Sequence, residues 1–291
     1  MGVVLLWGEF SVSLRKLLLW VVVVILIYVM LFSRALIIET KVENMPRFGE
    51  VNFKECPVKI EIKEVRDKIG NYVNFTVHGK TYTLKGFFGK CFCFPEGILL
   101  MAGYPGDPYA PGTDMIFLDS FLNKKWERYL GRSLWFKSYH DGKIILGDGC
   151  VYWIEAETGN FKYFCPETGL ITDVKERGCL SYVATAEGYV YLLREYKIEK
   201  GTRVAKPWKG ENLRALVKVG VGENYIAVVY SFVNPPGDEK RGLCVYTRNL
   251  IKLACKRLSY TPGQVAVVNN IIFVKDFYTG QIRAYRVYSL L

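Results

Sequence analysis

Cys150 to Pro166, CVYWIEAETGNFKYFCP, reads as two strands and the turn between them. Apolar and polar residues alternate from Cys150 to Ala156, Glu157-Thr158-Gly159-Asn160 supplies the turn, and Phe161 to Cys165 is a second run rich in aromatics. A period of two interrupted by a Gly-containing turn is the pattern of a β-hairpin. Looser copies recur along the chain, and they decide the fold class.

From Val58 onward, alternating runs are punctuated by Gly, Pro, Asn and Asp, and no stretch has a helical period. Five segments share a layout of inner run, second run and hairpin partner. They are Ile98–Gly103, Met115–Asp119 and Trp126–Leu130; Lys143–Leu146, Val151–Ala156 and Phe161–Cys165; Leu180–Thr185, Tyr189–Tyr196 and Thr202–Ala205; Tyr225–Val233, Leu243–Arg248 and Lys252–Arg257; and Val265–Val268, Ile271–Asp276 and Gln281–Val287. Starts recur about every 40 residues, which is blade spacing. Val58–Val65, Tyr72–His78 and Thr81–Phe87 supply a less regular sixth set. The expectation is an all-β propeller of six blades, with five or seven as the alternatives. A β-sandwich would account for the alternation but not for the repeated turn.

Two turn phrases, Val151-Tyr152-Trp153-Ile154-Glu155-Ala156-Glu157-Thr158-Gly159-Asn160 and Ile272-Phe273-Val274-Lys275-Asp276-Phe277-Tyr278-Thr279-Gly280-Gln281, resemble the blade phrase of the quinoprotein-like propeller repeats. That group includes quinone-cofactor dehydrogenases and non-enzymatic scaffolds such as the outer-membrane assembly lipoprotein. The resemblance implies a propeller. For a dehydrogenase it would also imply adjacent paired cysteines and a calcium-binding carboxylate set, and this chain has no Cys-Cys. Nor does it carry the repeated Ser-x-Asp-x-Gly turns of a sialidase-type hydrolase. The scaffold type is therefore expected, without cofactor or metal site.

Ahead of the repeats, Leu17 to Phe32 carries no charge, and with Arg34 snorkelling the apolar run continues to Ile38. At ~1.5 Å per residue this spans roughly 33 Å, enough for a bilayer core. Arg15-Lys16 precedes it, which keeps the N-terminus cytoplasmic and places the rest outside. No small-x-small cleavage site follows. The expected organisation is a cytoplasmic segment 1–16, a transmembrane signal anchor 17–38, a stalk 39–57 and an extracytoplasmic propeller 58–291. Membrane lipid is then one partner, through the N-terminal helix, and a protein of the membrane or envelope is the other.

The 39 Lys+Arg against 28 Asp+Glu give a net charge of +11, but the basic residues are scattered as on a solvated surface, and no nucleic acid is expected outside the cell. Of eight cysteines, Cys150 and Cys165 fall opposite one another across one hairpin, and Cys244 and Cys255 across a later one. Both pairs are expected as cross-strand disulfides, which persist in an exported domain. Cys56, Cys91, Cys93 and Cys179 leave two further links open.

Residues suited to catalysis are few. His78-Gly79 and His140-Asp141-Gly142 read as turns, and Asp114, Asp119, Asp148 and Asp276 sit near strand ends, from which they could meet at a propeller axis. Two proline-bearing loops stand out, Tyr104 to Thr113 and Asn234 to Gly242; each is read as joining the first two runs of its blade, so both emerge on one face. Tyr104, Asp107, Tyr109, Asp238, Lys240 and Arg241 are the expected binding residues, the tyrosines as rigid amphipathic contact area. Asn74-Phe75-Thr76 is an acceptor for glycosylation. The leading expectation is an anchored binding or assembly scaffold. An exported hydrolase or lyase with axial carboxylates is the alternative, and a structural component of an envelope or virus particle is the third.

Overall fold

The computed structural model describes residues 16–24, 35–42, 56, 58–66, 70–103, 112–132, 134–167, 169–206, 214–233 and 240–289. Apart from a short helix over 16–24, the regular elements among them are all strands. The first, β1 (Ala35–Thr40), stands apart in sequence from those that follow. Blade 1 contains β2 (Ile60–Arg66), β3 (Asn71–Val77) and β4 (Lys80–Lys85); blade 2 contains β5 (Phe88–Phe94), β6 (Gly97–Gly103), β7 (Thr113–Asp119) and β8 (Lys124–Leu130). Blade 3 is built from β9 (Trp135–His140), β10 (Lys143–Gly147), β11 (Val151–Glu155) and β12 (Phe161–Phe164). Blade 4 holds β13 (Ile171–Arg177), β14 (Leu180–Thr185), β15 (Tyr189–Arg194) and β16 (Lys197–Arg203). Blade 5 holds β17 (Arg214–Val221), β18 (Tyr225–Val233), β19 (Lys240–Thr247) and β20 (Lys252–Arg257). Blade 6 takes β21 (Pro262–Val268), β22 (Ile271–Asp276) and β23 (Ile282–Ser289) from the C-terminus and β1 from the N-terminus, in the order β1-β23-β22-β21. Six antiparallel meanders, the last completed by the N-terminal strand, make a six-bladed propeller.

Strand β1 corrects the expected anchor. Residues 35–38, assigned from sequence to the end of the transmembrane span, lie in an antiparallel ladder with β23, in register from Ala35 opposite Ser289 to Thr40 opposite Ala284. Alternation decides the matter: Ala35 and Ile37 turn inward, Ile37 against the apolar core between blades 5 and 6, while Leu36 and Ile38 are exposed. Glu39, expected in a stalk, pairs with Arg283 at 3.6 Å. No helix among the described residues is long and apolar enough to cross a membrane.

The repeats are also shifted in phase from the sequence reading. In blades 2 to 5 the runs expected to be innermost are second strands, and the innermost strands, β5, β9, β13 and β17, were missed. In blade 6 the three expected runs are the first three strands, because the fourth comes from β1. The two Thr-Gly phrases are therefore not equivalent: Thr158-Gly159 joins the third and fourth strands of blade 3, Thr279-Gly280 the second and third of blade 6, on the opposite face.

Among the described residues an apolar core lies at each of the five interfaces from blades 1 and 2 to blades 5 and 6. Val73, Phe75 and Leu84 meet Leu100 and Ile116 between blades 1 and 2; Phe117 and Trp126 meet Ile144 and Ile154 between blades 2 and 3. Trp153 and Phe164 meet Val174 and Val183 between blades 3 and 4, Tyr182 and Leu192 meet Val217 and Tyr246 between 4 and 5, and Ala227 and Val245 meet Val265 and Ile272 between 5 and 6. Fully burying such side chains contributes roughly 1.5–3 kcal/mol each.

A recurring polar lock sits above these cores. Tyr82 Oη donates to Leu122 O at 3.1 Å, Trp126 Nε1 to Ala156 O at 2.8 Å, Tyr182 Oη to Arg248 O at 3.0 Å, and Tyr225 Oη to Asn270 O. In each case an aromatic satisfies a turn carbonyl of the next blade. Between blades 3 and 4 the Trp153 ring instead packs on Tyr196, centroids 5.0 Å apart. Among the described residues blade 1 has three strands, in the order β2-β3-β4. Residues 43–55, which precede β2, lie outside the described residues.

Three disulfides link Cys56 to Cys93, Cys150 to Cys165 and Cys244 to Cys255. The last two cross β-hairpin partners, with Cα atoms 4.2 and 4.1 Å apart, while the first ties the entry to blade 1 onto β5. Cys91 and Cys179 are free.

Two predictions follow from this packing. Ile37→Lys places a charge at the blade 5/6 core and should lower stability by about 1–3 kcal/mol, with faster amide exchange in β23, whereas Ile38→Lys, at a side chain 50% exposed, should stay within about 0.5 kcal/mol. Gly159 has a φ of +70°, and a Cβ there would lie 2.8 Å from the Trp126 ring; Gly142, at +73°, has open space around it. In denaturant titration Gly159→Ala should therefore cost more than Gly142→Ala, whose penalty is the left-handed backbone alone, about 1 kcal/mol.

Candidate binding face and axial channel

The connections that distinguish the blades lie on one face. Residues 104–112 join β6 to β7 and 234–239 join β18 to β19, so both link second and third strands, not first and second as the sequence suggested. They share that face, opposite the turns at Glu157-Thr158 and Asn249-Leu250. Tyr104, Asp107, Tyr109 and Asp238 lie outside the described residues. Lys240 and Arg241 open β19 and are tied down locally: Lys240 Nζ donates to Lys206 O at 3.4 Å and Arg241 Nη1 to Ser259 O at 3.5 Å.

The same face presents aromatics that the sequence reading passed over. Phe277 and Tyr278, 62% and 73% exposed, meet edge to face in the turn between β22 and β23. Phe88 and Trp135 begin the innermost strands of blades 2 and 3, with ring centroids 6.5 Å apart, and Lys90 Nζ lies 5.2 Å from one and 5.4 Å from the other. Tyr129 is exposed beside Gly112, where the 104–112 connection rejoins the sheet. Exposed rings carrying a cation offer contact area at little entropic cost. The signal was present in Trp135-Phe136 and Phe277-Tyr278, adjacent aromatics at strand ends, but only placement of the innermost strands shows that they share a face.

Between the innermost strands of blades 3 to 6 runs an axial channel with a volume of about 890 Å³. Its wall carries Lys137, Lys175, Lys218 and Lys275 against Asp173, Glu176 and Asp276. Much of this charge is spent on holding blades together. Lys137 Nζ donates to Ile171 O at 2.8 Å, joining β9 to β13. Lys218 Nζ donates to Thr172 O at 2.8 Å, Thr172 Oγ1 to Val217 O at 2.8 Å, and the Val219 N–H to Asp173 Oδ2 at 2.9 Å, so three bonds join β13 to β17. Lys137 is half-buried, and its pKa is pushed down to about 8, first by desolvation and then by the charge of Lys218, against the pull of Asp173 and Asp148.

The four aspartates considered for an axial site are dispersed. Asp114 accepts the Lys85 N–H at 3.1 Å across blades 1 and 2, and burial raises its pKa against that bond. Asp119 accepts the N–H groups of Phe121 and Asn123 within its own turn, and the Asn123 bond above all lowers its pKa. Asp148 is raised by burial, with Lys137 opposing. Asp276 reaches the channel, but its Oδ1 accepts from the N–H groups of Tyr278 and Thr279. Among the described residues no three His, Cys, Asp or Glu gather where they could hold a metal ion. His140 pairs with Asp141 in an exposed turn at 3.1 Å, and His78 lies in the turn between β3 and β4. Asn74 sits mid-strand in β3, its Oδ1 accepting from Thr83 Oγ1 at 2.8 Å.

The channel makes a pH prediction. The folded Lys137 ammonium loses its proton near pH 8, while the unfolded one keeps it to about 10.5, so over that window the unfolded chain holds the extra proton and stability rises with pH. From pH 8 to 10 the protein should gain up to about 2 kcal/mol relative to Lys137→Met in chemical denaturation. Parallel pH profiles of the two proteins would contradict this account.

No family model matches the chain, and no curated protein matches it. Among solved structures it is similar to the Dos1 propeller, at 9% identity and a TM-score of 0.48 over 79% of this chain and 68% of that one. The computationally designed Ika8 protein matches at 9% identity and a TM-score of 0.47, over 77% of this chain and 70% of that one. BamB from Moraxella catarrhalis matches at 8% identity and a TM-score of 0.34, over 86% of this chain and 100% of that one. At these scores the fold assignment rests on the strand pairing described above.

Proposed function

We propose that the protein is a membrane-anchored, extracytoplasmic propeller that binds a protein partner through the face bearing the 104–112 and 234–239 connections. The observation that carries this reading is positional: the two longest connections between strands of one blade occupy the same place in blades 2 and 5, three blades apart in a ring of six, on a face that also exposes Phe88, Trp135, Phe277 and Tyr278. An aromatic patch with polar surroundings suits a protein interface.

Support for the anchor comes from the 16–24 helix, whose leucines, valines and Trp20 (67% exposed) find no core to cover them. With β1 beginning at Ala35, the uncharged run Leu17–Phe32 is ~24 Å long as a helix, and Arg15, Lys16 and Arg34 stand at its ends to snorkel. Three disulfides favour an oxidising compartment. Tyr104, Asp107, Tyr109, Asp238, Lys240 and Arg241 supply the contacts, and Asn74 is available to glycosylation.

The test uses the full chain in native membranes. Alkaline carbonate should leave it in the pellet, and thiol titration should find two reactive cysteines before reduction and eight after. A Tyr104→Ala, Tyr109→Ala double variant should lose its copurifying partner at an unchanged melting temperature. Eight free thiols in undamaged protein, or full release by carbonate, would remove the exported and anchored reading; an undiminished partner in the double variant would remove the assigned face.

A further inference from the structure

The opposite face, where Ala35 enters blade 6, carries a second concavity. Between blades 4 and 5 a cavity of about 530 Å³ is lined by Arg177, Arg194 and Arg248 together with Cys179, Asn224 and Asn249. All come from turns or strand ends on that face: the β13–β14 and β17–β18 turns, the end of β15 and the β19–β20 turn. Arg194 is held by Glu199 and donates from Nη1 to Cys179 Sγ at 3.6 Å. Arg177 reaches the outlying Glu223 only at 3.9 Å. Arg248 Nε is buried and donates to no acceptor among the described residues. The three arginines line one cavity, and the positive charge of each lowers the pKa of the Tyr182 phenol, which burial raises.

We propose that this pocket is an oxyanion site and that its ligand is the phosphate of an anionic lipid headgroup, an assignment of source that rests on the anchored reading above. Planar guanidinium forks match the oxygens of a phosphate, and two asparagine amides complete a donor-rich lining. The membrane orientation follows from topology. Ala35 lies opposite Ser289, at the end of β23 that shares its face with the β19–β20 turn, so a helix preceding β1 brings the bilayer toward the arginines and away from the 104–112 connection. Basic side chains held within a Debye length of an anionic surface are drawn to it.

Cys179 reports occupancy, since it is exposed in the pocket wall. Full-length protein is placed in nanodiscs of phosphatidylcholine alone, or of phosphatidylcholine with phosphatidylglycerol in equal parts, and alkylation of Cys179 by neutral iodoacetamide is followed by mass spectrometry, with Cys91 as internal reference. Phosphatidylglycerol should slow Cys179 at least about threefold, as expected when most pockets are filled. Arg248→Gln and Arg177→Gln, checked for three intact disulfides, should each abolish that protection. A third arm adds inorganic phosphate at about 10 mM to the phosphatidylcholine discs, ample for a millimolar site. Protection by phosphate but not by phosphatidylglycerol would overturn the lipid assignment, and equal Cys179 rates in every arm would overturn the oxyanion site itself. Protein that fails to comigrate with the discs would overturn the anchor instead, and with it the lipid source, leaving the phosphate arm in solution to decide the pocket.

Discussion

The fold depends on six residues at the N-terminal side, Ala35–Thr40, pairing with the last strand of the chain. A ring of sheets has no natural end: wherever the chain starts and stops, one blade would present unpaired N–H and C=O groups along a strand edge. Here β1 covers the edge of β23, and closure is made by hydrogen bonds between residues some 250 positions apart, an entropic cost met once and shared by every blade interface. Glu39 pairing with Arg283, and Ile37 reaching the core between blades 5 and 6, fix the register of that closure.

Packing between blades is divided between apolar and polar layers, and the division follows distance from the axis. The middle strands read as near-continuous apolar runs, such as Ile98-Leu99-Leu100-Met101 and Val228-Val229, because both of their faces are covered by neighbouring blades. The innermost strands line a channel and carry Lys137, Asp173, Lys175 and Lys218. Charge is tolerated there because Lys137, Lys218 and Asp173 answer backbone groups of the adjacent blade at Ile171, Thr172 and Val219, while Lys175 is partly exposed and lies 3.9 Å from Asp173. Lys137 bears the desolvation of that arrangement, which is why its proton is loosened.

That division also accounts for what could be read from sequence. Most middle and outer strands alternate cleanly or run apolar and were legible with their hairpin turns, as were the cross-strand cysteine pairs, because opposition across a hairpin is a matter of counting outward from the turn. The outer strand of blade 4 was not, since the partner run expected at Thr202–Ala205 is β16, Lys197–Arg203, polar and exposed almost throughout. The innermost strands were not legible. ITDVKER and WFKSYH lack alternation because one side faces channel water and the other a neighbouring blade, so neither period nor propensity marks them. The contribution of Ala35–Thr40 was hidden for another reason: ALIIET follows an uncharged run and extends it in composition, and only its long-range partner makes it a strand. For the same reason the Thr279-Gly280 turn looked equivalent to Thr158-Gly159, although Trp126 packs on Gly159 and only the Lys275 stem, at 3.9 Å from a Cβ, lies near Gly280. The arginine pocket draws Arg177, Arg194 and Arg248 from three separate blade connections, and no spacing in the chain brings them together.

Closure by β1 also couples the two ends of the functional argument. Because β1 runs antiparallel to β23, the direction of one strand determines which face of the disc the N-terminal segment approaches. Turns between first and second strands, and between third and fourth, lie on that approach face; the 104–112 and 234–239 connections, between second and third strands, lie on the other. A propeller tethered through β1 therefore keeps the two proline-bearing connections and the rings of Phe88, Trp135, Phe277 and Tyr278 turned away from the tether, and the arginines of the 530 Å³ cavity, with the exposed Phe121, turned toward it. The outward side holds the Phe88 and Trp135 rings with Lys90 between them, and the inward side holds three guanidinium groups, two of them paired with Glu223 and Glu199. Moving the closing strand to the C-terminus, with the first blade beginning at its own innermost strand, would bring the N-terminal segment to the other face, away from the arginines. The position of one edge strand thus fixes both how the sheet is completed and which surface is left to meet a partner.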